Sequence, residues 1–114
     1  MKWDIVFYES SRGNKPVEEF LDSLEGVVRN KVYSSLELLK EYGVGLNFPH
    51  VKKLVGTSLW ELRILGEFSI RIFYVAQTGK KFILLHGFKK KTQKTPENEI
   101  KIAEKRLKDF ITKL

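Results

Sequence analysis

Three apolar, β-prone runs follow one another closely, over residues 59–65, 68–76 and 82–88, separated only by Gly66-Glu67 and by Gln77-Thr78-Gly79-Lys80-Lys81. Spacers this short leave no room for a crossover helix, so the runs predict an antiparallel meander. Alternation within the runs sets the register. Trp60, Leu62 and Ile64 alternate with Glu61 and Arg63, while Ile70, Ile72 and Tyr74 alternate with Ser69, Arg71 and Phe73. A slip of one residue would carry one apolar set to the wrong face. An odd-length turn avoids this by placing Ile64 opposite Ile70, Leu62 opposite Ile72 and Trp60 opposite Tyr74. The same register sets Arg63 directly opposite Arg71.

The remaining segments supply helices and one more strand. Trp3 to Tyr8 is short, β-branched and aromatic, and reads as a strand. Asn14 as a cap, Pro16 in the first turn and Glu18 and Glu19 near the positive end predict a helix carrying Val17, Phe20, Leu21 and Leu24 on one face. A second helix is expected from Val28 to Tyr42, with Val28, Val32, Ser35, Leu36, Leu39 and Tyr42 as its stripe and Gly43 as a left-handed stop. Two helices so closely joined predict a hairpin. Residues 44–57 read as irregular. Thr95 as a cap, Pro96 at the first helical position and Glu97 in the first turn open a last helix, with Ile100, Ala103, Leu107, Phe110, Ile111 and Leu114 in its stripe. The expected fold is a single α+β domain over residues 1–114, in the order β-α-α-β-β-β-α, with the hairpin and the C-terminal helix packed on an antiparallel sheet.

Composition removes several classes of function. The chain has no cysteine and only two histidines, His50 and His86, without ligand-like spacing, so neither a disulfide framework nor a dedicated metal site is expected. No apolar stretch approaches the roughly 20 residues that span a bilayer, and Met1-Lys2-Trp3-Asp4 leads straight into the first strand. A cytoplasmic location without membrane contact is the expectation. There is no glycine-rich phosphate loop, HExxH or GxSxG, and no cofactor is expected.

Charge points elsewhere. The net charge is +7, and residues 89–114 contribute +5 of it through nine basic and four acidic side chains. A basic segment on a near-neutral body suits a polyanion such as nucleic acid, although a lysine-rich solvated helix has the same composition. Two arginines facing each other on adjacent strands repel mildly, yet two planar forks of donors suit a phosphate. Neither Glu61 nor Glu67 obviously neutralises both, and acids of the C-terminal helix are the ordinary alternative partners. His86-Gly87-Phe88 followed by Lys89, Lys90, Lys91 and Lys94 adds an imidazole, a ring and cations at a strand end. Gly87 there either admits a ligand or marks a bulge, and His86 by itself is more often a satisfied sheet histidine.

The blocks LWELRI (Leu59–Ile64), RIFYV (Arg71–Val75) and LLHGFKKKTQKTPENEI (Leu84–Ile100), in this order, resemble the HigB-like, phage-associated branch of the RelE/ParE toxin superfamily. The resemblance implies the toxin of a type II toxin–antitoxin pair that cleaves mRNA on the translating ribosome, neutralised by a HigA-like helix-turn-helix antitoxin encoded beside it. ParE-like members instead inhibit DNA gyrase, and a non-catalytic RNA-binding module is a third reading. RelE itself has a near-terminal tyrosine, whereas the last 19 residues here contain none.

Metal-free RNA cleavage requires a base for the 2′-hydroxyl, cations on the pentavalent transition state and an acid for the leaving oxygen. The expected catalytic set is Arg71 for transition-state charge, Arg63 for phosphate positioning, and His86 or one of Lys90, Lys91 and Lys94 for proton transfer. Lys52, Lys53 and Lys89 are expected to contact RNA, and Tyr74 or Phe88 to stack on a base.

Overall fold

The computed structural model describes residues 2–47, 49–64, 66 and 69–114. Its elements are β1 (Asp4–Phe7), α1 (Pro16–Asp22), α2 (Gly26–Tyr42), β2 (Val51–Lys53), β3 (Trp60–Arg63), β4 (Ile70–Gln77), β5 (Lys81–Lys89) and α3 (Glu97–Thr112), with one 3₁₀ turn, Gly43–Gly45, after α2. The fold is α+β, with three helices and one five-stranded sheet in the order β1-β5-β4-β3-β2.

The sheet is mixed rather than antiparallel throughout. β1 runs parallel to β5, with Asp4 beside Lys81 and Phe7 beside Leu84, because the helical hairpin carries the chain across the sheet before the meander begins. A fifth strand, β2, forms within the segment read as irregular and pairs Val51 with Leu62 and Lys53 with Trp60. The register between β3 and β4 is the one that apolar matching demands: Trp60 faces Tyr74, Leu62 faces Ile72 and Arg63 faces Arg71.

Helices cover both faces. Val17, Leu21 and Leu24 of the α1 region and Val32, Leu36 and Leu39 of α2 bury against Leu62, Ile64, Ile70, Ile72, Tyr74, Phe82 and Leu84. On the opposite face, Ala103, Ile100, Leu107 and Phe110 of α3 meet Phe73, Val75, Ile83, Leu85 and Phe88. The buried part of the hairpin face is thus an apolar layer.

Helix ends differ from the sequence reading in detail. Lys15, not Asn14, stands at the N-cap of α1, while the Asn14 amide donates to Ser10 Oγ. Pro96 occupies the N-cap of α3 instead of its first helical position. Tyr42 lies 61% exposed, outside the buried stripe of α2, because Gly43 ends the helix with a positive φ of 58° that glycine adopts without strain. Phe68, Leu65 and Glu67 of the sequence argument lie outside the described residues.

Candidate functional site

The paired strands bring side chains into rows across the α3 face. Lys52, Glu61, Phe73 and His86 form one row through successive pairings, and Arg63, Arg71 and Phe88 form the next. A bulge in β5 makes both rows continuous. The register steps from Phe73 opposite His86 to Tyr74 opposite Leu84, leaving Leu85 as the extra residue. Leu84 packs into the hairpin face, whereas Leu85 and Phe88 pack into the α3 face. Without the bulge, strict alternation would turn His86 and Phe88 toward the hairpin instead.

Gly87, between them, faces α1. A Cβ at that position would meet the Phe20 ring at 2.7 Å, so the glycine admits a neighbouring helix rather than a ligand.

At the open end of the rows, Arg63, Arg71, Lys90, Lys91, Thr92 and Gln93 line one cleft, with about 830 Å³ of space open to solvent. The Lys90 amide donates to the Ser69 carbonyl at 2.5 Å, which ties the loop after β5 to the start of β4. Arg71 is 6% exposed and donates from one terminal nitrogen to the Ile70 carbonyl at 3.0 Å. Glu61, 3% exposed, brings Oε1 to 3.6 Å from Arg71 Nε and 4.0 Å from Arg63 Nε. One buried acid of β3 therefore lies beside both arginines.

The charges of this cluster act on one another. Burial lowers the Arg71 pKa, Glu61 opposes the shift and Arg63 adds to it; a guanidinium stays protonated under these conditions. Burial also lowers the Lys90 pKa, opposed by Glu61 and reinforced by Arg71, Arg63 and Lys52.

His86 occupies a different environment. Its Nε2 lies 2.8 Å from Glu99 Oε1, and Arg106 donates to its Nδ1 at 3.1 Å and to the Leu85 carbonyl at 2.9 Å. An Nδ1 that accepts from a guanidinium leaves Nε2 as the protonated nitrogen, donating to Glu99. Burial lowers the His86 pKa; the Glu99 bond opposes that and Arg106 adds to it. The imidazole stacks on Phe88 at 5.4 Å, and Phe88 meets the edge of Phe73 at 5.1 Å. His86 thus has both ring nitrogens engaged by α3. Further along the same seam, Tyr8 donates to Asp109 at 2.6 Å, and Asp109 is paired with Lys113 at 2.8 Å.

The other residues singled out in the sequence divide between the two faces. Lys52 stands opposite Glu61 on the α3 face, whereas Lys53 stands opposite Trp60 on the hairpin side and bonds the Thr57 carbonyl. Lys89 pairs with Ile70, also on the hairpin side. Lys94 is exposed, one residue beyond the cleft lining. Tyr74 corrects the expectation of base stacking: it is 4% exposed in the hairpin-face core, edge-on to Phe82 at 5.3 Å, and burial raises its pKa. Phe88 is 5% exposed with His86 against it, so no free ring face remains there either. Glu61, Glu99, Arg106 and Gln93 were not singled out as site residues in the sequence. Glu61 had a usable signal, since it lies two positions before Arg63 on one strand face. Glu99 and Arg106 had none, because their partner on β5 is set by helix docking.

Among the described residues, no group of three or more His, Asp or Glu side chains is placed to hold a metal ion, and no helix is long and apolar enough to cross a membrane. No curated protein matches the chain. Residues 19–108, more than half of the sequence and including β2 to β5 with the cleft, match the model of the phage-derived Gp49-like proteins. The chain belongs to this phage-derived Gp49-like family, which is associated with RelE/ParE-like toxins.

Proposed function

We propose that the protein is a HigB-like toxin, an endoribonuclease that cleaves mRNA on the translating ribosome, held in check by a helix-turn-helix antitoxin. The observation that carries this reading is the cleft in which Arg63 and Arg71, in direct cross-strand register, meet Lys90 and Lys91. Paired guanidiniums with flanking ammonium groups match the charge and donor geometry of a phosphodiester, and of the more highly charged transition state formed when it is attacked.

In this reading the 2′-hydroxyl attacks the adjacent phosphorus, its proton passes to a base, and the 5′-oxygen leaves with a proton. Arg71, nearly buried and bonded to the Ile70 carbonyl, stabilises the charge that develops on the phosphoryl oxygens. Arg63 and Lys91 hold the phosphodiester from the solvent side, and Lys52 attracts the strand. Lys90, as the ammonium, is the acid that protonates the departing 5′-oxygen, and the proton of the 2′-hydroxyl passes to water. Lys90 lines the cleft, and its ammonium is made more acidic by burial and by the surrounding cations. His86 keeps α3 on the sheet through Glu99 and Arg106, one step back from the chemistry. A site this sparse suits an enzyme whose substrate is positioned by a larger machine, since orientation supplies much of the rate.

The test is cell-free translation with primer extension on the reporter mRNA, comparing wild type with Arg71→Ala. New 5′ ends within codons, dependent on active ribosomes and reduced about a hundredfold or more in the variant, are expected. Unimpaired translation of intact mRNA contradicts the proposal, and inhibition of gyrase supercoiling in its place establishes the ParE-like reading.

A further inference from the structure

We infer that Glu61 is a positioning residue, a buried anion that holds the guanidiniums of Arg63 and Arg71 together and aligned when no phosphate is bound. The inference rests on the reading of the cleft as a phosphate site and names how that site is kept assembled.

Three observations lead to it. Arg63 and Arg71 are paired directly across two strands, where like charges push apart. Glu61 Oε1 lies within 3.6 Å of one Nε and 4.0 Å of the other. Its second oxygen, Oε2, is buried and accepts no hydrogen bond among the described residues. A carboxylate kept only for packing or hydrogen bonding would not leave an oxygen in this condition, because burying an incompletely bonded charge destabilises a fold. What the site gains is electrostatic. Arg71 donates to the Ile70 carbonyl and keeps its Nε beside Glu61 without a hydrogen bond between them, and Arg63 lies near the same anion. Lys52 lies opposite Glu61 on β2, and Lys90 responds to its charge. Among the described residues one anion stands among these four cations, so it orders the site without filling it.

The consequence separates binding from turnover. Glu61→Gln preserves shape and removes the charge, so the cleft becomes more positive and its arginines less ordered. On a short single-stranded oligoribonucleotide, fluorescence anisotropy across a salt series is expected to show binding at least as tight as wild type. The plot of log affinity against log salt should steepen by up to about 0.7, the contribution of one more phosphate contact. Ribosome-dependent cleavage is expected to fall about tenfold to a hundredfold in the same variant, as misaligned groups lose rate. Glu61→Asp keeps the charge and shortens the reach. It should retain the wild-type salt slope and recover part of the cleavage. Equal cleavage by wild type and Glu61→Gln overturns the inference, as does loss of binding in step with cleavage, which marks a purely structural role.

A second readout stands apart from activity and from the folding of any variant. Guanidinium ¹⁵N relaxation of the wild-type protein is expected to show ordered Nε–H vectors for Arg63 and Arg71 beside a mobile one for exposed Arg12. Mobility of Arg71 equal to that of Arg12 overturns the inference. If wild type leaves RNA uncut while Arg63 and Arg71 are ordered, the ribonuclease reading fails and the positioning role is upheld.

Discussion

The two faces of the sheet are built from the same strands, residue by alternate residue, and have opposite characters. On the hairpin face Leu62, Ile64, Ile70, Ile72, Phe82 and Leu84 form an unbroken apolar layer under α1 and α2. On the α3 face the layer is apolar only where the helix lies, from Val75 and Ile83 to Phe88; beyond that it carries Glu61, Arg63 and Arg71 and opens into the basic cleft. One face supplies the stability that lets the other hold buried charge. The boundary between apolar and charged zones on the second face is His86, which stacks on Phe88 and is bonded to α3. Stability and chemistry are thereby separated by strand parity, and substitutions can be chosen on either side of that division.

The largest effect on stability is expected from Ile72→Ala, which empties a fully buried position on the hairpin face. A loss of about 2–5 kcal/mol in chemical denaturation is predicted, with cleavage per folded molecule unchanged. A change in turnover larger than the change in folded fraction would break the division. Gly87→Ala is next. Its Cβ would meet Phe20 at 2.7 Å, and a destabilisation of about 1–3 kcal/mol is expected. A compensating Phe20→Leu should relieve part of it, because the fault is crowding on the hairpin side and not loss of a ligand contact.

A pH titration of stability tests the seam. Burial holds the His86 imidazole below its ordinary value of 6.5, so at intermediate pH the unfolded chain binds a proton that the folded chain does not. Its contribution is therefore fully present above that value and declines as pH falls below it. The melting temperature should drop between about pH 7 and pH 5 by more in wild type than in His86→Gln. Equal drops would remove His86 from the seam. The smallest and sharpest comparison is between neighbouring lysines. Lys52→Ala should weaken oligoribonucleotide binding a few-fold and reduce its salt dependence, whereas Lys53→Ala, on the opposite side of the strand, should leave both unchanged.

Alternation made the central pairing legible. The apolar sets of β3 and β4 admit one register, and with it Arg63 opposite Arg71 follows from sequence. The bulge was not legible, since Phe82-Ile83-Leu84-Leu85 is apolar at every position and offers no parity whose break could be detected. For that reason the face of His86 and Phe88 could not be assigned. The parallel docking of β1 depends on contacts far apart in sequence, and β2, at three residues, is too short for alternation to register. The burial of Glu61 was hidden because a charged residue between Trp60 and Leu62 reads as the solvent side of a strand. Here that side is closed by its own arginines.

The proposed function requires nucleic acid to be engaged on the α3 face, at the arginine cleft. Amide and guanidinium chemical shifts should be followed while a short oligoribonucleotide, made non-cleavable by 2′-deoxy substitution at one position, is added to the wild-type protein. The largest changes are predicted at Lys52, Glu61, Arg63, Arg71 and Lys90 to Gln93, with α2, Lys53 and Lys89 little affected. Changes centred on α2 or on Lys53 and Lys89 would place the ligand on the other face and contradict the account.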